Sequence, residues 1–371
     1  DPTVEHDSHG ELAWGVVEVF RLTRDHAFLH ELWPHVKRAA DAIAALRAER
    51  TGDAWSASPC FGLLPESISH EGYASRPVHS YWDDYFAVCG LAAAAEAADV
   101  VGEADAAARI AALRDAMRRD LHASIARTRA QHDIDFLPGS VELADFDPTS
   151  TAIALDPAGE GARLPRAVLE RTFERYWEEF EARRLGKTEH DAYTPYEVRT
   201  ATALLLLGWK GRALGLLEWL VGDQRPPAWR QWPEVAHRER RVPRFLGDLP
   251  HGWVAASFVR AMRRLVAYER EEDGALVVGA GVPEAWVLEA PGLRVRGLPT
   301  RFGALDLAMS ADGVDRVRVA LSGVRPPGGI VLDSPLARPL RAVEGDARAR
   351  PAGDGRRVWL PDSPAAVLLI Y

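Results

Sequence analysis

The stretch HSYWDDYFAVCGLAAAAEAAD, residues 79–99, decides how the rest of the chain is read. Its first turn holds His79, Trp82, Asp83 and Asp84, and from Phe86 onward it is apolar nearly all round. A helix without a polar face must be covered on every side. PYEVRTATALLLLG, residues 195–208, is built the same way. Residues 104–130 differ: Ile110, Leu113, Met117, Leu121 and Ile125 make one stripe, while Arg109, Arg114, Arg118 and Arg119 lie largely elsewhere. That pattern predicts an outer helix with a single buried face.

Working outward, helical periodicity covers 11–22, 26–49, 79–99, 104–130, 149–155, 164–184, 195–208, 211–222 and 251–269. The connections alternate in length. Those at 23–25, 100–104, 156–162 and 208–211 are short, whereas 1–10, 50–78, 131–148, 185–194 and 223–250 are long. Short turns join antiparallel neighbours, so the alternation sends every long loop to one end. Alternating inner and outer antiparallel helices predict a mainly α chain, an incomplete-looking α/α toroid over 1–272. From 273 the pattern changes to short Val/Leu-rich runs between Gly, Pro and Asp: 275–280, 293–300, 314–323, 329–334 and 366–371. Those runs predict a small all-β sandwich over 273–371.

The 371 residues are 47% hydrophobic with a net charge of −9, enough for a large core and unfavourable to nucleic acid as a partner. No apolar run approaches the ~20 residues of a membrane span, so no membrane insertion is expected. Cys60 and Cys89 read either as free core thiols or as one disulfide, and no Cys/His pattern has zinc spacing. No cofactor is expected and no metal ligand is assigned; the acidic loops have the chemistry for Ca²⁺ but lack EF-hand spacing, and metal binding is not readable. Arginine greatly outnumbers lysine, which points to a GC-rich bacterial genome. The chain opens on Asp1 without a visible signal peptide and reads as trimmed, leaving cytoplasmic and exported locations open. The oligomeric state is not readable.

Long loops rich in Trp, Tyr and His are where function is expected. PESISHEGYASRPVHSYWDDY, residues 65–85, offers Glu66, His70, Glu71, Tyr81, Trp82, Asp83 and Asp84. The 131–148 loop adds Glu142, Asp145 and Asp147; the next adds Tyr193, Tyr196, Glu197 and Arg199; the last adds Trp229, Trp232, Glu234, His251 and Trp253. Aromatic rings that stack on sugar faces, mixed with carboxylates that bind hydroxyls, suit a carbohydrate. Cleaving a glycosidic bond needs two carboxyl groups, one to protonate the leaving oxygen and one to act on water or carbon. Simpler readings stand beside these. Asp83, Asp84 and Glu197 sit in helix first turns, where acids are favoured by about 0.3–1 kcal/mol. Asp147 in DPTS reads as an N-cap. Trp232 and Trp253 can be core, His70 and His251 can be structural, and RERRVPR at 238–244 reads as a solvated loop or as a contact for an anionic sugar. Glu234 has no capping role.

The helical part resembles the six-hairpin (α/α toroid) glycosidases, nearest to the glucoamylase-type inverting enzymes with trehalase-like relatives. The likeness is carried by HGELAWGVVEVFRLTRDHAFLHELWPHVKRAADAI at 9–43, by 62–98 around PESISHEGY and HSYWDDY, by DFDPTSTAIAL at 145–155, by 193–220 and WPEVA, and by PHGWVAASFVRAM at 250–262. The resemblance implies a glycoside hydrolase with Glu66 near the acid position and Glu234 at the base position. Trehalase-like relatives place an aspartate just before the inner helix, which makes Asp83 the alternative acid. The resemblance also implies twelve barrel helices, of which nine are read here; the first three either lie upstream or are lacking in an open toroid. The strand-rich end resembles the accessory domain of related enzymes. Three rivals remain: a non-catalytic carbohydrate-binding toroid, a lyase (centred on Tyr73 or His251) or phosphorylase on the same scaffold, and a terpene-cyclase-like toroid faintly suggested by YWDDY.

Overall fold

The structure is a computed structural model that describes residues 5–70, 72–239, 244–353 and 355–371. By compactness the chain divides into Asp1–Thr188 and Glu189–Tyr371, and each unit is described by itself.

In the first unit, α1 (Ser8–Thr23) and α2 (His26–Ala48) form a hairpin. Arg24 turns the chain with a left-handed φ of 58°, and Asp25 caps α2 by accepting from the Phe28 amide at 3.0 Å. A long loop leads to α3 (Tyr81–Val100), a short turn leads to α4 (Ala104–His132), and a second long loop leads to α5 (Pro148–Thr151) and then α6 (Arg166–Arg184). Asp147 caps α5 through the Ser150 amide, as the DPTS motif predicts. The chain enters α1 and α3 at the same end. There the Trp82 indole donates to Asp7 at 2.7 Å, and near the far ends Arg21 bonds Glu96 at 2.6 Å. These helices are therefore parallel neighbours, and α3 is enclosed as its composition requires, with sixteen of its residues buried.

The closeness of α1 and α3 depends on two glycines. A Cβ on Gly90 would stand 2.5 Å from the Gly10 Cα, and one on Gly10 would stand 2.2 Å from the Phe86 carbonyl oxygen. No side chain fits at this crossing.

In the second unit, α7 (Val198–Leu206) and α8 (Lys210–Gly222) form another short-turn hairpin, and α9 (Gly252–Val266) packs on α7. A two-residue ladder joins β1 (Ala192–Tyr193) to β2 (Ala236–His237). All nine predicted helical spans are present, with ends shifted by a few residues. One shift matters: the periodicity predicts the last helix to 269, but it stops at Val266. Ala267 is extended and begins β3 (Ala267–Arg270), which pairs with β4 (Ala275–Val278). The change from helix to strand thus falls at 266/267.

Two five-stranded sheets follow. One has the order β10 (Arg350–Ala352), β11 (Arg357–Leu360), β8 (Ile330–Asp333), β4, β3. The other has β5 (Leu293–Thr300), β6 (Gly303–Ala311), β7 (Arg316–Val324), β12 (Ala365–Ile370), β9 (Ala342–Gly345). Strict alternation in β7 sends Val317, Val319 and Leu321 inward and Arg316, Arg318 and Ala320 outward. The inward faces share one core, with Leu276, Ile330, Leu332 and Val358 from one sheet meeting Leu305, Leu307, Val319 and Leu369 from the other. All five predicted strand runs are present. β6, β9, β10 and β11 lie outside those runs: GALDLAMSA in β6 is poor in β-branched residues, and the other three are only three or four residues long. A short helix, α10 (Glu284–Leu288), was also not foreseen. Among the described residues no helix is long and apolar enough to cross a membrane.

Gly90→Ala tests the crossing. Helix propensity alone would favour alanine by about 1 kcal/mol, whereas overpacking costs about 1–3 kcal/mol. Urea unfolding of the variant is expected to show a net loss; an unchanged or raised midpoint would mean the helices can separate freely.

Candidate functional site

The predicted residues fall into two groups, one in each unit. In the first unit they surround the start of α3. This end is buried, so its polar groups need partners from the loops. The Tyr81 amide donates to the Gly139 carbonyl at 3.0 Å. The Tyr81 hydroxyl meets Ser124 and Thr128 at 2.8 and 2.9 Å. Asp83 accepts from the Ser67 and Ser69 hydroxyls at 2.5 and 3.1 Å, and Asp84 accepts from the Leu64 amide at 3.0 Å. Tyr81, Trp82, Asp83 and Asp84 are each at most 3% exposed. They build the mouth of α3 from beneath and offer no surface to a sugar. Burial raises the Asp83 carboxyl to about 7 and drives Asp84 well above the ordinary range.

The surrounding loop residues are more open. Half-buried His70 lies 2.8 Å from the Ser150 hydroxyl and 3.7 Å from Asp147, and its ring meets Trp82 edge-on. Tyr73 donates to Asp145 at 2.9 Å. Glu66 is exposed and pairs with Arg50. Burial pushes the Glu66 carboxyl up, but its backbone hydrogen bond and Arg50 outweigh this and hold it below its usual value. A proton donor needs the opposite setting. Glu71 lies outside the described residues, as do 240–243 of the RERRVPR stretch.

Sequence reading missed a cluster at the same mouth. Cys60, His79 and Glu142 place their thiol, imidazole and carboxylate atoms within 4.8 Å of one another. Both cysteines are free and buried. Glu142 accepts from the His79 amide at 3.0 Å and lies 2.6 Å from His79 Nδ1. Burial alone would lower His79, but Cys60 and Glu142 beside it carry it to about 10.

In the second unit the site residues gather where α7 and α9 begin. The Tyr196 hydroxyl lies 2.5 Å from His251 Nε2 just ahead of both helices, and the rings meet edge-on. Arg199 lies over the Tyr196 ring at 4.5 Å and the Trp253 ring at 5.2 Å. Glu197 is buried, whereas Trp253 remains 44% exposed. The loop between β2 and α9 folds back on the chain ahead of β2. The Glu234 amide donates to the Asp248 carbonyl at 3.0 Å, and the His251 amide donates to the Trp232 carbonyl at 3.1 Å. This ladder puts Glu234 beside the His251 turn. Its half-buried carboxylate accepts from the Asp248 amide at 3.3 Å. It rests against Gly247, where φ is +61° and a Cβ would stand 1.9 Å from Glu234 Oε2. Trp232 is core: it is buried, packs on Phe258 and donates to the Leu220 carbonyl. Trp229 stands 59% exposed on a short 3₁₀ turn, away from any ring stack the structure describes.

A groove of about 700 Å³ lies elsewhere, on the outer face of the β5–β6–β7–β12–β9 sheet. Arg294, Arg296, Asp306 and Asp346 line it over a floor of alanines, and none of the predicted site residues reaches it.

No protein-family model and no curated protein matches the chain. Solved structures do match. An α-L-rhamnosidase from Dictyoglumus thermophilum superposes with a TM-score of 0.54 at 9% identity, covering 97% of this chain and 39% of that one. A GH78 family rhamnosidase from Bacillus sp. GL1 gives 0.49 at 15% identity, covering 83% of this chain and 30% of that one. The likeness to the first is one of fold, and this chain spans about two fifths of its length.

The raised Asp83 carboxyl fixes a pH dependence. In the folded chain it keeps a proton up to about pH 7, whereas unfolded it releases it near its ordinary 3.8. Its contribution to stability is therefore full below 3.8 and is lost as pH rises through about 7. Asp83→Asn keeps the acceptor for Ser67 and removes the titration. Unfolding free energies of the two proteins are expected to diverge in the variant's favour by a few kcal/mol as pH climbs through that window. A pH-independent difference would contradict a buried, proton-holding Asp83.

Proposed function

We propose that the chain is part of a glycoside hydrolase, with residues 1–272 as an α/α toroid portion and 273–371 as an accessory β-sandwich. The observation that carries this reading is the gathering of Glu234, Tyr196, Arg199, His251 and Trp253 at the joint mouth of α7 and α9. The fold likeness to an α-L-rhamnosidase supports it. A partly exposed indole, a guanidinium, an imidazole and a half-buried carboxylate on the neighbouring loop are groups that bind a pyranose and activate a water. L-rhamnosides are accordingly the first substrates to try.

In this reading Glu234 is the general base of an inverting mechanism. Its carboxylate, oriented by the Asp248 amide, takes a proton from the attacking water. Trp253 and Arg199 hold the sugar, and His251, fixed by Tyr196, hydrogen-bonds a hydroxyl. The acid is assigned to Glu66, with Asp83 as the alternative. The two have opposite shortcomings. Glu66 has access to solvent but is held ionised by Arg50, and Asp83 retains a proton but is sealed under Ser67 and Ser69. That observation favours a second reading, in which this chain binds carbohydrate without cleaving it.

A hydrolysis screen with aryl α- and β-glycosides, L-rhamnosides included, separates the two. Glu234→Gln is expected to lower turnover by roughly 10²–10⁴-fold with native circular dichroism. Gly247→Ala, which touches no substrate, is expected to lower kcat by crowding the same carboxylate. Turnover unchanged in Glu234→Gln removes the base assignment; saccharide binding without turnover in the parent chain selects the second reading. Inversion is read from the anomer of the first product by NMR, and a retained anomer contradicts it.

A further inference from the structure

We propose that the groove on the outer face of the β5–β6–β7–β12–β9 sheet is a second saccharide site that takes an anionic oligosaccharide, with sugar rings in the trough and a carboxylate or sulfate group between Arg294 and Arg296. That the ligand is a saccharide rests on the glycoside-hydrolase reading; that it is an anion rests on the groove alone. The groove measures about 700 Å³, the size of a small-ligand site. None of the residues gathered at the α7/α9 mouth lines it.

The trough follows from strand register. Arg294, Ala308, Ala320 and Ala366 stand directly opposite one another on β5, β6, β7 and β12. With strands about 4.8 Å apart, this row runs about 14 Å across the sheet, and its three alanines raise nothing larger than a methyl group above the floor. The rows on either side carry larger groups: Asp306 opposite Ser322 on one, Arg318 opposite Leu368 on the other. Register shifts at Val295/Leu298 in β5 and at Gly303/Asp306 in β6 bend the corner where the Gly297 amide donates to Asp306 at 2.7 Å.

Charge gives the groove its preference. Arg294 and Arg296 stand two residues apart on β5, so both point to the outer face. Both are exposed, and among the described residues neither guanidinium has a hydrogen-bond or ion-pair partner. The acids of the groove are already engaged. Asp306 accepts from the Gly297 amide, and Asp346 accepts from the guanidinium and the amide of Arg348, which hold its carboxyl down at about 2. The two arginines are therefore the charges left to a ligand, and neighbouring guanidiniums select carboxylate and sulfate. No aromatic ring lines the groove, so a neutral sugar has no ring face to stack on. An anionic group supplies the attraction that stacking does not.

The test uses the full chain and oligogalacturonate, with its methyl ester as the control that keeps the rings and removes the charge. By titration calorimetry at low salt the acid is expected to bind about tenfold or more tightly than the ester. A sulfated galactan oligomer is the second arm, and the tighter of the two names the anion. Arg294→Ala combined with Arg296→Ala should lower affinity about tenfold. Ala320→Leu, which fills the trough from its middle, should lower it by a similar factor. Arg119→Ala removes an exposed arginine on α4 and should change nothing. Circular dichroism checks each variant. Failure of both anions to bind, an ester bound as tightly as the acid, or affinity unchanged in the arginine or Ala320 variants would overturn the proposal. So would an equal loss in Arg119→Ala, which would mean plain ion exchange. Hydrolysis of small aryl glycosides, read in parallel, is expected to be unchanged in the groove variants, and groove binding to be unchanged in Glu234→Gln. A parent chain that binds the anion without turnover thus removes the hydrolase assignment and leaves the groove standing.

Discussion

Enclosing the first turn of α3 is the constraint on which the first unit depends. An enclosed helix stabilises the unit through its apolar body, but its polar start leaves water along with it. Each donor or acceptor left unpaired there would cost about 1–3 kcal/mol. The two long loops answer this. Ser67 and Ser69 cover Asp83, Leu64 covers one oxygen of Asp84 while Oδ2 stays buried without a hydrogen-bond partner, Gly139 accepts from Tyr81, and Glu142 takes the amide and Nδ1 of His79. The loops are ordered by what the buried helix start requires, so a stretch dense in acids and aromatics need not be a stretch that binds anything. The close crossing at Gly10 and Gly90 belongs to the same requirement, since α1 is part of the cover.

The second unit solves the same problem with an open result. Its helix starts are joined by the Tyr196–His251 contact and by the backbone ladder from Trp232 to His251. Here the cover is incomplete: Trp253 is 44% exposed, and Arg199 and Glu234 are half-buried. A mouth closed by its own side chains holds a fold together, whereas one left open by rigid supports can hold a ligand. This contrast is why the catalytic reading rests on Glu234 and why the acid role is harder to place at the α3 mouth.

Much of this was legible in the sequence, for physical reasons that differ by element. Helices announce themselves through the 3.6-residue period, and the short–long alternation of turns follows from hairpin packing, so all nine spans were readable. The five Val/Leu-rich runs were readable too, whereas β6, built largely of Gly, Ala, Leu and Met, and the short β9, β10 and β11 were not. The start of β3 was read as helix because AYER carries no local stop signal and its partner β4 lies across a turn. Glu234 stood out because nothing local explained it. Asp83 and Asp84 did not resolve, since an acid in a first turn looks the same whether it caps, packs or reacts. The Cys60–His79–Glu142 cluster was illegible: its members are 19 and 63 residues apart, and no fixed spacing links three groups brought together by two loops.

Hydrogen–deuterium exchange across the whole chain, with and without a saccharide ligand, tests the placement of the site most directly. Slowed exchange in the segments 193–199 and 230–253 is the expected result, because a sugar at the α7/α9 mouth would tie the Tyr196–His251 turn to the Glu234 loop. Protection confined to the outer sheet face around 294–308 and 318–322, with 193–199 and 230–253 unchanged, would contradict it.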